Sequence, residues 1–134
     1  MALVLAACGS GSDGSSSSTA VSDAPAADVR EWQSADGLRC VGYTPTPDPI
    51  PFDALFSLEW TVDDCQGGAL EDAEWVVDAQ MPDHSHGMTV TPVSQPAGDG
   101  AWVTEGLLFH MEGWWRLTAE GGGQVAEFDI TCCS

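Results

Sequence analysis

The chain has 134 residues, which is room for one compact domain. It contains 21 aspartate and glutamate residues against three arginines and no lysine, so its formal net charge is −18. A chain this acidic cannot neutralise phosphates, which excludes nucleic-acid binding as a main activity, and its acidity is typical of a soluble surface or a salt-rich habitat.

The first eight residues end in Leu5-Ala6-Ala7-Cys8, which resembles the lipobox of bacterial lipoproteins. The pattern predicts cleavage before Cys8 and lipidation of its sulfur, which would anchor the protein to a membrane of the cell envelope, facing the periplasm or the exterior. The apolar run is short and lacks a basic segment, which indicates a natural start further upstream. The alternative is an apolar terminus without a targeting role.

Residues 9–28 consist mainly of serine, glycine, alanine and aspartate, with no hydrophobic periodicity. Such a segment cannot bury a core, because it offers too little apolar surface to offset the entropy of ordering it. It is predicted to be a disordered, flexible tether between the lipid anchor and the domain that follows.

Residues 29–134 are predicted to form an immunoglobulin-like antiparallel β-sandwich. Apolar and polar residues alternate over residues 54–62 and again over 73–81, as half-buried strands require. Two further strands are predicted at 114–119 and 125–132, separated by the glycine turn 121–123. Another is expected at 39–43, before a proline-rich crossing at 44–51.

Four cysteines follow Cys8, namely Cys40, Cys65, Cys132 and Cys133. An even number of cysteines in an exported domain indicates disulfides, and four allow three pairings. A bridge between the neighbours Cys132 and Cys133 would close a strained ring, which favours long-range bridges from Cys40 and Cys65 to this pair. The alternative is a thiolate metal site, although the C-x-x-C spacing is missing.

All the histidines, and all the methionines after the initiator, fall in two short segments of the chain, residues 81–88 and 110–111. Imidazole and thioether are neutral ligands for soft or borderline metals, copper above all, and a mixed set suits an ion that alternates between Cu(I) and Cu(II). The clustering therefore predicts a copper site. Its candidate ligands are His84, His86, Met88 and His110, with Met81 and Met111 as further ligands or core residues and Asp83 and Glu112 as supporting carboxylates.

The turn-forming residues 95–100 predict a hairpin centred near residues 97 and 98. Counting outward from this turn places His86 opposite His110 and Met88 opposite Leu108. Opposed residues have Cβ atoms about 5 Å apart, so the two imidazoles could share one ion. If residues 84–88 are extended, His84 projects from the same face. Pro82 is expected to end or bulge the strand that carries Met81.

Two motifs resemble the YtkA-like domain, which is related to the FixH family. They are Met-Pro-x-His-x-His-Gly-Met at residues 81–88 and Gly-Leu-Leu-Phe-His-Met-x-Gly-x-Trp-x-Leu at residues 106–117. The resemblance covers about residues 73–119 and implies an exported β-sandwich, often a lipoprotein, with roles in copper handling or respiratory-oxidase assembly. The candidate histidines and methionines match its motif one by one, whereas the four domain cysteines lie outside the pattern.

Three functions follow as hypotheses. The first is a copper-binding lipoprotein that stores the ion or exchanges it with a donor or acceptor protein, without chemistry of its own. The second, an enzyme, is disfavoured because cupins need a glutamate soon after His-x-His and copper–zinc superoxide dismutases need six metal-binding histidines, where this chain has three. The third is an envelope interaction module that binds no metal and whose histidines are incidental. Trp102, Trp114 and Trp115 could form an exposed aromatic contact patch, although core packing is favoured for at least one of them.

Overall fold

The computed structural model describes residues 28–71 and 74–133. In these two ranges the chain forms nine β-strands and no helix, and so no helix capable of crossing a membrane. The strands are β1 (Glu31–Gln33), β2 (Cys40–Thr46), β3 (Leu55–Asp63), β4 (Val76–Met81), β5 (His86–Gly87), β6 (Val93–Gly98), β7 (Ala101–Leu108), β8 (Gly113–Gly121) and β9 (Gln124–Cys132).

The strands form two antiparallel sheets that pack face to face. One sheet has the order β1-β2-β3-β7-β6 and the other the order β5-β4-β8-β9. The hydrophobic core lies between them and contains aromatic residues from both sheets. This arrangement confirms the predicted immunoglobulin-like antiparallel β-sandwich. The predicted lipidation site Cys8 and the tether up to residue 27 lie outside the described residues, whereas Asp28 accepts a hydrogen bond from the Thr131 backbone N–H.

The alternation of apolar residues identified the buried faces correctly. In β3 the buried side chains are Phe56, Leu58, Trp60 and Val62, and on the segment through β4 they are Trp75, Val77, Ala79 and Met81. Ala54 was expected to face inward but is exposed, because β3 begins one residue later. Ala73 lies outside the described residues. The interior faces of these two strands are therefore as predicted.

Two turns show how local residues set the strand boundaries. The predicted glycine turn joins β8 to β9 through Gly122 and Gly123, whose φ angles of +61° and +81° suit a two-residue hairpin with both central residues in the left-handed region. The proline-rich crossing begins later than expected, because β2 continues through Pro45, which pairs with Leu58. Pro45 is tolerated there because β1 pairs only as far as Gly42, so β2 is an edge strand at that point.

The predicted long-range cysteine pairing is wrong. Cys40 is bonded to Cys65, and Cys132 to its neighbour Cys133. The reason is that the two pairs lie at opposite ends of the sandwich. Cys40 is opposite Asp63 at the end of β3, whereas the Cys133 sulfur lies 3.5 Å from the Pro51 carbonyl oxygen, shortly before that strand begins. A strand of nine residues spans about 30 Å, far more than a disulfide can bridge.

The acidic residues are only partly compensated by cations. Arg30 forms a two-pronged ion pair with Asp48 at 2.7 and 2.8 Å, and this hydrogen bonding holds the pKa of the Asp48 carboxyl below its ordinary value. Arg116 pairs with Asp129 at 3.2 Å. Three arginines cannot offset 21 acidic residues, so the folded chain carries a large excess of negative charge.

Raising the NaCl concentration from about 0.01 M to about 1 M is expected to raise the melting temperature by several degrees. The Debye length falls from about 30 Å to about 3 Å over this range. The added salt therefore screens the repulsion between the negative charges that folding brings close together. Thermal unfolding followed by circular dichroism measures the effect. Choline chloride should act equally, because screening does not depend on the identity of the cation. A fall in melting temperature would mean that local ion pairs outweigh the repulsion.

Candidate metal centre

A tight turn carries the first candidate histidine. As predicted, the strand that carries Met81 ends immediately before Pro82. The backbone N–H groups of His84 and Ser85 both donate to the Met81 carbonyl, at 3.1 and 3.0 Å, and the chain returns so that His86 pairs with Met81. Ser85 has a φ of +56°, in the left-handed region. The segment is therefore a turn rather than an extended strand, and His84 lies exposed at its tip.

The predicted pairing of His86 with His110 along one hairpin is wrong. The hairpin of β6 and β7 exists, but its ladder begins at Val93 opposite Glu105 and does not extend to His86. His86 belongs to β5, which pairs with β4 in the other sheet. Met88 is likewise not opposite Leu108, because Leu108 pairs with Leu55. The chain between β5 and β6 crosses from one sheet to the other, which a single hairpin register does not allow for.

The histidines nevertheless meet at one end of the sandwich. The ring centroids of His86 and His110 are 5.4 Å apart, and those of His84 and His86 are 5.8 Å apart. His86 comes from the four-stranded sheet, whereas His110 follows the end of β7 in the five-stranded sheet. The proximity thus arises where the two sheets face each other, and His86 is the central member.

The ring of Trp115 packs against both His86 and His110. Its ring lies edge-on to His86 at 6.3 Å and to His110 at 5.7 Å. Phe109 stacks on it in parallel at 4.5 Å, and the indole N–H donates to the Met111 carbonyl at 2.9 Å. The side chain is fully buried and fixed from several sides. The inward alternation of Trp115 with Leu117 could have revealed this position, but not its contact with the histidines.

The nitrogens of the two central imidazoles differ in their environment. His86 Nδ1 lies 3.1 Å from the Gly87 carbonyl, and the tautomer that donates to this carbonyl leaves Nε2 as a free lone pair. His110 Nδ1 is buried and has no hydrogen-bond partner within the described ranges. A buried polar atom without a partner is costly, and a bound cation would satisfy it. In the described part of the chain, the three other such atoms belong to Tyr43, Trp75 and Gln124, elsewhere in the fold.

The three histidines do not form a preformed metal site. Among residues 28–71 and 74–133, three histidine, cysteine or carboxylate ligand atoms come within 4.8 Å of one another only at Cys40, Asp63 and Cys65. The imidazole nitrogens of His84, His86 and His110 are thus more widely spread. His86 and His110 form the close pair, and the turn that carries His84 has to move inward before all three can share an ion.

The candidate methionines occupy two environments. Met81 is 1% exposed and packs in the core, where its terminal methyl lies 3.0 Å from the point a Cβ on Gly113 would occupy. Met88 and Met111 are half-buried against the core. Met88 directly follows the β5 residues, and Met111 adjoins His110. Asp83 and Glu112 are exposed.

The predicted aromatic contact patch is not present. Trp102 and Trp115 are buried, so neither can belong to an exposed surface. Trp114 is half-buried on the outer face of its sheet, where its indole N–H donates to Asp129 at 2.9 Å and the Arg116 guanidinium lies over its ring. The two buried tryptophans follow the same inward alternation as their strands.

Comparison with known proteins identifies no relative of this chain: no family model, no curated protein and no solved structure matches it. A functional assignment therefore depends on the chain's own residues.

Proposed function

We propose that this domain is an envelope protein that binds a transition metal, most favourably copper, through His86 and His110. The observation that supports this best is the buried Nδ1 of His110, which has no hydrogen-bond partner among the described residues. Its ring centroid is 5.4 Å from that of His86, whose Nε2 is left as a lone pair in the tautomer that donates from Nδ1 to the Gly87 carbonyl. Two imidazoles from different sheets, held over a fixed indole, form a pair whose spacing the core determines. Copper accepts imidazole in both of its common oxidation states.

The remaining ligands are assigned by exposure and position. His84, on its exposed turn, closes over the bound ion from outside. The half-buried thioethers of Met88 and Met111 adjoin the histidines, whereas Met81 belongs to the core, so the proposal assigns the sulfur ligand to Met88 or Met111. A thioether favours Cu(I), which suits a protein that holds the ion or hands it to a partner rather than one that performs catalysis.

The cellular setting follows from two further features. The lipobox-like sequence before Cys8 supports a lipid anchor in the membrane, and the Cys40–Cys65 disulfide is typical of an oxidising compartment. The resemblance to the YtkA-like domain adds copper storage, delivery or respiratory-oxidase assembly as the proposed process. A copper donor or acceptor protein is then the expected partner.

Replacing His86 or His110 by alanine is expected to lower the Cu(I) affinity at least about 100-fold, because each removes one of the two central ligands. Competition against a chromophoric Cu(I) chelator under anaerobic conditions measures the affinity. Met88→Leu should weaken Cu(I) binding more than Cu(II) binding, whereas Met81→Leu, a change of similar volume in the core, should leave both unchanged.

Thermal unfolding is the control for both histidine variants, since a misfolded protein would also lose metal. Copper binds the folded form, so it should raise the melting temperature of the wild type and not that of His86→Ala. If the wild type and the folded His86→Ala protein bind Cu(I) equally well, the histidine cluster is not the copper site.

A further inference from the structure

A second cluster of metal-binding side chains lies at the other end of the sandwich. On the outer face of the five-stranded sheet, Cys40 is directly opposite Gln33 in β1 and Asp63 in β3. Cys65 reaches the same point from the loop after β3. The two sulfurs and a carboxylate oxygen of Asp63 lie within 4.8 Å of one another. All three side chains are half-buried, and in this structure the two sulfurs are joined in a disulfide.

The loop that carries Cys65 is held by hydrogen bonds that do not depend on the disulfide. The Cys65 backbone N–H donates to Asp63 Oδ1 at 2.7 Å. The Asp64 carboxylate accepts from the backbone N–H groups of Gly68 and Gln66, and these bonds hold its pKa below the ordinary value. The Asp64 N–H in turn donates to the Gly68 carbonyl. Breaking the disulfide should therefore leave both sulfurs close together.

The backbone at Cys65 has an uncommon conformation. Cys65 has a φ of +69°, a left-handed conformation that non-glycine residues seldom adopt. Residues held in such conformations concentrate at functional sites, where the surrounding structure maintains them. The hydrogen bond to Asp63 is one such restraint.

An open groove gives access to this cluster. It has a volume of about 380 Å³, and its lining includes Glu31, Gln33, Cys40, Gly42 and Asp63. Gly42 has no side chain to fill the groove. The net charge of −18 attracts cations towards this surface. Both a small reductant and a metal ion can therefore reach Cys40.

We propose that reduction of the Cys40–Cys65 disulfide opens a second metal site, in which the two thiolates and the Asp63 carboxylate bind one thiophilic ion such as Zn²⁺ or Cu(I). The disulfide itself is a poor ligand, because thiolate is the form of cysteine that binds metal. Two sulfurs and one oxygen leave a fourth, tetrahedral position facing the groove. This site is independent of the histidine cluster, which lies at the opposite end of β3.

The reaction needs a dithiol reductant. Its two thiols transfer two electrons and two protons to the protein disulfide, so the Cys40–Cys65 bond breaks, two protein thiols form and the reductant becomes a cyclic disulfide. A divalent ion then displaces both thiol protons, which are released to solvent. Binding is thus coupled to the redox state of the compartment. A disulfide oxidant that takes two electrons from the thiolates and two protons from solvent re-forms the Cys40–Cys65 bond and releases the ion.

Cobalt(II) is the probe that tests this proposal. The starting protein carries Cys132→Ala and Cys133→Ala and begins after Cys8. Cys40 and Cys65 are then its only cysteines. After anaerobic reduction with dithiothreitol and removal of the reductant, one Co²⁺ per chain should bind through sulfur, in addition to any ion that the histidines hold. The expected signals are a near-ultraviolet thiolate charge-transfer band and the visible bands of tetrahedral cobalt, and Zn²⁺ should bleach both. The oxidised protein should lack the thiolate band, because any Co²⁺ that it binds at the histidines has no thiolate ligand.

Asp63→Asn should weaken Co²⁺ binding by at least about 10-fold, because the amide keeps the hydrogen bond to Cys65 but loses the charge. Glu59→Gln is the matched control, since it removes one negative charge from the same strand outside the groove. Circular dichroism establishes that each reduced protein is folded. His86→Ala should keep the cobalt signal, so a failure of the histidine site does not affect this test.

Three results would overturn the proposal. One is a folded, reduced protein without a thiolate–cobalt band. The second is equal Co²⁺ affinity in the folded protein and in urea, which would show that the fold does not preorganise the sulfurs. The third is an Asp63→Asn protein that binds as tightly as its Glu59→Gln control, which would remove the carboxylate from the site.

Discussion

Replacement of Trp60 by alanine is expected to lower the free energy of unfolding by about 3 to 5 kcal/mol. The indole is 1% exposed and contacts the rings of Tyr43, Trp75 and Phe128, which joins the two sheets. Its N–H also donates to the Thr104 hydroxyl at 2.9 Å. The substitution therefore removes a large apolar side chain and a buried hydrogen bond, and it leaves a cavity that the rigid sheets cannot close.

Urea denaturation and thermal unfolding measure this loss, which should lower the melting temperature by about 12 to 25 °C. Trp114→Ala is the matched control, because it removes the same side chain from the half-buried outer face of β8. Its contacts with Arg116 and Asp129 are partly solvated and should contribute only about 1 kcal/mol. Equal losses in the two variants would contradict the assignment of Trp60 to the centre of the core.

The strands could be predicted from the sequence because each has one buried face. In β3 and β4 every second residue is apolar, and a period of two directly identifies which side chains point inward. The boundaries were harder to predict. Pro45 suggested a crossing, yet it lies inside β2, because its nitrogen faces a side on which no neighbouring strand needs a donor. Whether a strand is at an edge depends on the sheet order, which local sequence does not contain.

The candidate site, too, could be predicted only in part. The clustering of histidine and methionine identified the residues that could bind a metal, but the predicted route by which His86 approaches His110 was wrong. Their proximity depends on two sheets packing face to face, and ladder pairing within one hairpin carries no information about that packing. For the same reason the position of Trp115 beneath both rings could not be inferred, although its inward orientation could.

The cysteine pairing failed for a related reason. Cys132 is buried and follows the inward alternation of β9, which is compatible with a bridge to Cys40 or Cys65 across the core. Burial, however, does not say at which end of the sandwich a residue lies. Cys40 begins β2 and Asp63 ends β3 at one end of the sandwich, whereas Cys132 is opposite Gly113 at the other end. The end at which each strand terminates follows from the topology of the whole domain.

Replacing both Cys40 and Cys65 by alanine is expected to lower the free energy of unfolding by about 3 kcal/mol. The bridge joins residues 25 positions apart, so it restricts the unfolded chain by the entropy of closing a loop of that length. The matched control, Cys132→Ala with Cys133→Ala, removes a bond between neighbours that restricts no comparable loop. Only the small gap left by the buried Cys132 sulfur remains, which should cost about 1 kcal/mol.

Urea unfolding of the two double variants beside the wild type measures this difference, and peptide mapping without reductant provides an independent readout. The peptide that contains Cys40 should be linked to the one that contains Cys65, and both losses should be additive in the protein that lacks all four cysteines, because the pairs lie far apart. The long-range pairing is present after all if the Cys132 and Cys133 variant loses as much stability as the Cys40 and Cys65 variant. The same follows if the peptides of Cys40 and Cys65 are linked to the peptide that contains Cys132 and Cys133. In that case the thiolate site at Asp63 would lose its second sulfur.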